Sequence, residues 1–160
     1  MSPLSGVTAH WPAHLFFYGT LVAGNPNPVA AAIHSALEPM GPARTSGALF
    51  AIPDPAGWFP ALMAGDDAVS GALYRAGADF DAELLARMDA YEDFDPADRA
   101  GSLYRRKCIT VRTEDGAEVE ADAYLWNRTL PAGALRIGGG SFGAWLAETG
   151  NPVFGATRSA

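Results

Sequence analysis

A chain of 160 residues, 49% of them apolar, fits one domain with its own core. Its formal charge of −7 repels phosphate backbones and argues against a nucleic-acid partner. A single cysteine, Cys108, excludes an internal disulfide, and no uncharged apolar run reaches the ~20 residues that span a bilayer.

In chain order, residues 1–13 are polar and proline-containing, with no basic and apolar leader, and read as a flexible segment. The expectation is a soluble cytoplasmic protein acting on a small molecule, with no membrane partner. Residues 14–18 are apolar and aromatic and end at Gly19, which predicts a buried strand running into a tight turn. Pro28 can open a helix over 29–37, with Pro39 as its stop. Residues 46–52 read as a strand and 53–57 as a turn. Residues 58–64, interrupted by Pro60, read as an irregular edge piece, and 69–75 as a further strand. Over 79–91, Phe80, Leu84, Leu85, Met88 and Tyr91 recur at helical spacing. Asp79 or Asp81 can cap that helix, and Glu83 suits its first turn. An acidic loop follows over 93–101. Strands over 103–113 and 118–126 flank Asp115-Gly116, a hairpin signal. A glycine-rich stretch (138–140) precedes a short helix over 142–148, and 151–160 reads as a tail beyond one domain spanning 14–150. The order is not a regular βαβ alternation. It predicts an α+β domain built on a mixed, strongly curved sheet.

The residues narrow the chemistry. His10, His14 and His34 show no metal-ligand spacing, so nothing in the sequence asks for a metal. No Gly-x-Ser-x-Gly elbow is present, and Cys108, in mid-strand, is expected to be a buried apolar filler. Gly138, Gly140 and Gly143 meet a G-x-G-x-x-G spacing but lack the following βαβ unit, so they read as a loop. Carboxylates remain. Asp89, Glu92, Asp93 and Asp95 crowd the C-terminal end of the helix over 79–91, where the macrodipole and mutual repulsion raise a carboxyl pKa. An enclosed member of that group could serve as a general acid/base near neutrality. A solvated acidic helix end is the competing reading. At the first turn, Gly19 lets the backbone approach a ligand, and successive N–H groups there can form an anion-binding nest. An ordinary strand-ending turn is the alternative.

Several segments, in order, resemble the γ-glutamylcyclotransferase-like family, which includes the γ-glutamylamine cyclotransferases and AIG2-like proteins. They are Phe17-Tyr18-Gly19-Thr20-Leu21, Gly47-Ala48-Leu49-Phe50, Trp58-Phe59-Pro60-Ala61-Leu62, Val69-Ser70-Gly71-Ala72-Leu73-Tyr74, Met88-Asp89-Ala90-Tyr91-Glu92, Leu103-Tyr104-Arg105-Arg106 and Ala123-Tyr124-Leu125-Trp126. The resemblance implies a barrel-like β-sheet flanked by helices, with a cavity for a γ-glutamyl group. It implies Glu92 as the catalytic carboxylate and Tyr18, Gly19, Thr20 and Leu21 as substrate-binding, with Tyr104, Arg105 and Tyr124 lining the site. The implied reaction is internal acyl transfer that releases 5-oxoproline and an amine or amino acid, without metal or cofactor. A non-catalytic binding module on the same fold, and an amidase-like enzyme using water, are the other readings. The pattern departs at two points. Val22, Ala23 and Gly24 stand where a basic residue is often found, and Asp93 rather than Gly follows Glu92.

Overall fold

The computed structural model describes residues 11–19 and 28–153. Its elements are β1 (His14–Phe17), α1 (Pro28–Ser35), β2 (Leu37–Ile52), β3 (Phe59–Ala76), α2 (Ala82–Tyr91), β4 (Tyr104–Thr113), β5 (Glu118–Trp126), β6 (Leu135–Arg136) and α3 (Phe142–Thr149). The strands run β3–β1–β5–β4–β2, and β2 pairs back onto β3. Five strands thus close a barrel, with β6 added at the side on β2. β1 and β5 pair in parallel, while the other strand pairs are antiparallel. The expected α+β class with a mixed, curved sheet is what the chain adopts.

Side chains alternate across this wall, as strand geometry requires. Phe16 and Tyr18 join the cluster inside the barrel with Leu49, Leu62, Leu73 and Val111. Leu15 and Phe17 point the other way, into a second cluster with Ile33 of α1 and Leu84 and Met88 of α2. Both faces of β1 are therefore buried, which is why 14–18 reads as an unbroken apolar run rather than an alternation. Each fully buried large side chain in these clusters contributes about 1.5–3 kcal/mol of transfer energy. Among the described residues, no helix is long and apolar enough to cross a membrane.

The boundaries depart from the sequence expectation where tertiary pairing overrides local punctuation. The first helix stops at Ser35, and Leu37 already starts β2, although residues to 37 are apolar enough to prolong it. β2 runs 16 residues through Pro39 and Pro42. A register shift between Pro39 and Gly41 absorbs these breakers. The two pieces expected over 58–64 and 69–75 are one 18-residue strand, β3. Residues 64–66 between the paired Met63 and Asp67 form a bulge, because β2 offers ladder partners on both sides of them. α2 starts at Ala82, with the Asp81 carboxylate accepting from the Leu84 N–H at 2.9 Å. Cys108 is a correction: it is exposed, with its thiol 3.5 Å from the Glu120 carboxylate. By strand alternation it shares the outward face of β4 with Tyr104 and Arg106. The glycine stretch is structural. Gly140 has φ +75, its carbonyl accepts from Ser70 N–H at 2.7 Å, and an added Cβ would meet the Ala68 carbonyl oxygen at 1.9 Å.

Candidate active site

The end of α2 is built by backbone hydrogen bonds. The Asp93 N–H donates to the Ala90 carbonyl at 3.1 Å, and the Phe94 N–H to the Asp89 carbonyl at 2.9 Å. With Glu92 as the C-cap residue, these are the paired bonds of a Schellman motif. The motif needs a left-handed residue after the cap, normally glycine. Asp93 fills that position with φ +53, and among the described residues no other non-glycine has positive φ. This is the backbone demand behind the Gly-to-Asp departure noted in the sequence. The cap fixes the point at which Glu92 leaves the helix, while Phe94 packs into the helix-side cluster.

Glu92 is half-buried, yet its carboxyl is pushed up to about 8, first by desolvation and then by the neighbouring charges of Asp93 and Asp89. Three tyrosines share its surroundings. Tyr18, Tyr104 and Tyr124 are all pushed well above the usual phenol value, with burial the leading cause in each. The charge of Glu92 adds to the shift of all three, which ties them electrostatically to one carboxyl. Their hydroxyl protons are committed to protein acceptors. Tyr18 donates to the Tyr124 carbonyl, Tyr104 to the Pro60 carbonyl at 2.5 Å, and Tyr124 to the Asp89 carboxylate at 2.5 Å. Their remaining lone pairs are acceptors.

The short β1 makes room for this arrangement. β1 ends at Phe17, while β3 and β5 carry residues 59–63 and 124–126 onward along the site. Tyr18 reaches from the end of β1 to β5, and Tyr104 reaches from β4 to β3. Gly19 lies against Pro60 so closely that an added Cβ would sit 2.2 Å from Pro60 Cγ. Glycine is required there by close approach.

One helical turn before Glu92, Asp89 has a different environment. It is 3% exposed and accepts from Arg106 Nε at 2.9 Å and Nη2 at 3.4 Å. Arg106 Nη1 donates to Asp122 at 2.7 Å. Burial works to lower the Arg106 guanidinium, but the bonds and charges of Asp89 and Asp122 outweigh it and raise it. The same guanidinium lies 5.9 Å from the Phe94 ring centroid.

Of the residues expected at the site, Tyr18, Tyr104, Tyr124 and Glu92 come together, and Gly19 adjoins them. Thr20 and Leu21 lie outside the described residues. Arg105 faces away from Tyr104, since adjacent strand residues point to opposite sides. Its cross-strand partner Leu125 packs with the barrel-interior cluster that holds Tyr18. The Asp89–Arg106–Asp122 triad had no assigned role in the sequence. Its signals were available: Asp89 stands three residues before Glu92, on the same helix face, and Asp122 interrupts the apolar run Ala121-Asp122-Ala123. A groove of about 970 Å³ runs outside α2 and reaches Asp89, Asp93 and Arg106, but not Glu92 or the tyrosines. Among the described residues, no group of three or more His, Cys, Asp or Glu is placed to hold a metal.

The sequence matches the family model described as gamma-glutamyl cyclotransferase, AIG2-like, over residues 15–147. No curated protein matches it. Among solved structures, an AIG2-like protein from Mus musculus is 26% identical, covering 76% of this chain and 82% of that one, with a TM-score of 0.56. An uncharacterized protein from Pyrococcus horikoshii is 19% identical, covering 86% of this chain and 96% of that one, with a TM-score of 0.56. A gamma-glutamyl cyclotransferase is 16% identical, covering 79% of this chain and 72% of that one, with a TM-score of 0.51. The last two likenesses speak for the fold alone.

Proposed function

The chain belongs to the AIG2-like gamma-glutamyl cyclotransferase family, and from that premise we propose that it cyclises a γ-glutamyl amide to 5-oxoproline with Glu92 as the acid/base. The observation that carries this reading is the Glu92 carboxyl, pushed up to about 8 at the α2 C-cap and surrounded by Tyr18, Tyr104 and Tyr124. A peptide α-ammonium has a pKa of about 8, and the free α-carboxylate of a γ-glutamyl compound raises its own ammonium above that. Raising the carboxyl from 4.5 to about 8 narrows the gap between the two groups, and a base whose pKa lies near the operating pH is the more effective one.

The substrate's α-amine attacks its own γ-carbonyl carbon. A new C–N bond closes the five-membered ring, and the amide C–N bond to the leaving amine breaks. The proton lost by the attacking nitrogen passes to the Glu92 carboxylate and from there to the leaving nitrogen. Glu92 ends as it began. Both reacting groups belong to one molecule, so holding it folded supplies much of the acceleration as effective molarity. The tyrosine oxygens, whose protons are directed elsewhere, offer acceptors to the incoming ammonium. Gly19, with Thr20 and Leu21, supplies backbone donors for the substrate's oxygens, as the family resemblance implies. Arg105, whose Nε is buried without a partner, offers a cation for its carboxylate from the barrel-interior side.

The test is a screen of γ-glutamyl amines and dipeptides for 5-oxoproline release by the wild-type protein and by Glu92→Gln. Release by the wild type and loss in the variant support the reading. Ring-free glutamate as the product would favour hydrolysis by water, and an active Glu92→Gln protein would remove the mechanism.

A further inference from the structure

We propose that Trp126 is a substrate-binding residue, whose indole Nε1–H donates to an oxygen of the bound γ-glutamyl compound. This assignment rests on the cyclotransferase reading above. Trp126 is the last residue of β5, directly opposite Tyr104 in the β4–β5 ladder. Its ring stands edge-on to that of Tyr104, with centroids 5.3 Å apart, and 6.0 Å from that of Phe59. It therefore shares the wall of the site that carries the Tyr104 hydroxyl and the Pro60 carbonyl.

The argument is an accounting of donors. Tyr18, Tyr104 and Tyr124 each direct their proton to a protein acceptor, so none is free to donate to a ligand. Trp126 Nε1, by contrast, is buried and has no hydrogen-bond partner among the described residues. An indole N–H is donor only, so an incoming acceptor is what satisfies it. Buried polar side-chain atoms are almost always paired, and an orphan donor packed against Tyr104 is placed to meet an acceptor that a ligand brings. The other such atom among the described residues is Arg105 Nε. It lies on the opposite face of β4, so the two do not compete for one acceptor. The donor is buried, and an oxygen that reaches it meets little competing water. Such a bond discriminates for oxygen-bearing ligands more strongly than the same bond at the surface.

The test uses the full-length protein and 5-oxoproline as the probe. The chain has 4 tryptophans, and the indole signal lost from the nitrogen–proton spectrum of Trp126→Phe identifies that of Trp126. On saturation with 5-oxoproline, the Trp126 indole proton is expected to move downfield as it gains an acceptor. Trp126→Phe keeps the ring and deletes the donor. It should melt no lower than wild type, because an unsatisfied buried group is removed. It should also bind 5-oxoproline and turn over substrate (as kcat/KM) about tenfold or more worse, the scale of one lost hydrogen bond. A merely packing role would not produce that split between stability and affinity. If Trp126→Phe does not fold, Trp11→Phe, Trp58→Phe and Trp145→Phe assign the Trp126 signal by elimination, and the wild-type titration decides. Bound 5-oxoproline with a stationary Trp126 signal, or an affinity within twofold in Trp126→Phe, overturns the assignment and leaves the cyclotransferase reading standing. Wild-type protein that neither binds nor releases 5-oxoproline overturns both.

Discussion

Asp89 and Glu92 stand one turn apart at the end of α2, and the protein treats the two carboxylates in opposite ways. Asp89 receives a guanidinium on two edges and a tyrosine hydroxyl. Every partner stabilises its charge and fixes its position. Glu92 is desolvated and faces the like charges of Asp93 and Asp89. Its charge is opposed, and its proton is held to about pH 8. A pair of acidic residues three apart thus divides into one that anchors the helix end to β4 and β5 and one whose charge its surroundings oppose. The division comes from which strand residues face each carboxylate, since both leave the same helix end and feel the same macrodipole.

The comparison is most sharply broken by exchanging Glu92 for a group that cannot titrate. Glu92→Gln should fold normally and lose about 10²–10⁴ in kcat, the usual share of a general acid/base. Kinetics of 5-oxoproline release measure it, and a loss below tenfold would place the acid/base elsewhere. The anchoring half is broken by Arg106→Met, which leaves Asp89 and Asp122 buried without their cation. Stability should fall by about 3–5 kcal/mol, the scale for removing one partner of a buried ion pair. Urea unfolding measures this, and a loss under about 1 kcal/mol would mean that water already supports both carboxylates.

The third test follows pH. The folded value of about 8 lies above the ordinary 4.5, so the unfolded chain releases this proton first as pH rises. The stabilisation from the held proton is complete below about pH 4.5 and is lost as pH climbs through about 8. Glu92→Gln carries no such loss. Its melting temperature relative to wild type should therefore increase from pH 5 to pH 9, and parallel melting curves would remove the raised carboxyl. The smallest effect is expected at Asp93→Gly. The left-handed cap favours glycine, so stability should change by no more than about 1 kcal/mol, in the stabilising direction. Deleting one like charge should also bring the Glu92 limb of the pH–rate profile to lower pH. A limb that moves upward would contradict the electrostatic assignment.

Much of this was legible along the chain. The helical spacing of Leu84 and Met88, the hairpin at Asp115-Gly116 and the doubly buried first strand are local patterns, and local patterns survive in a sequence. The carboxylate crowd at the end of α2 was legible for the same reason, as a property of consecutive residues, while only the family resemblance singled out Glu92 within it. The prolines of β2 and the Gly65-Asp66-Asp67 break in β3 misled because strand pairing tolerates a bulge that local punctuation does not reveal. Cys108 misled because the alternation along β4 is uneven, and a free hairpin face looks the same as a buried one until the helices are placed.

The sequence by itself determined the class of fold, most of the order of its elements and the crowding of carboxylates at one helix end, since hydrophobic period and turn chemistry act between near neighbours. Only the tertiary structure decided that Arg106 and Asp122 serve Asp89 while Tyr18, Tyr104 and Tyr124 surround Glu92. Those partners come from β1, β4 and β5, up to 106 residues apart along the chain. Barrel closure sets which of them face each other, and no interval along the sequence encodes that meeting.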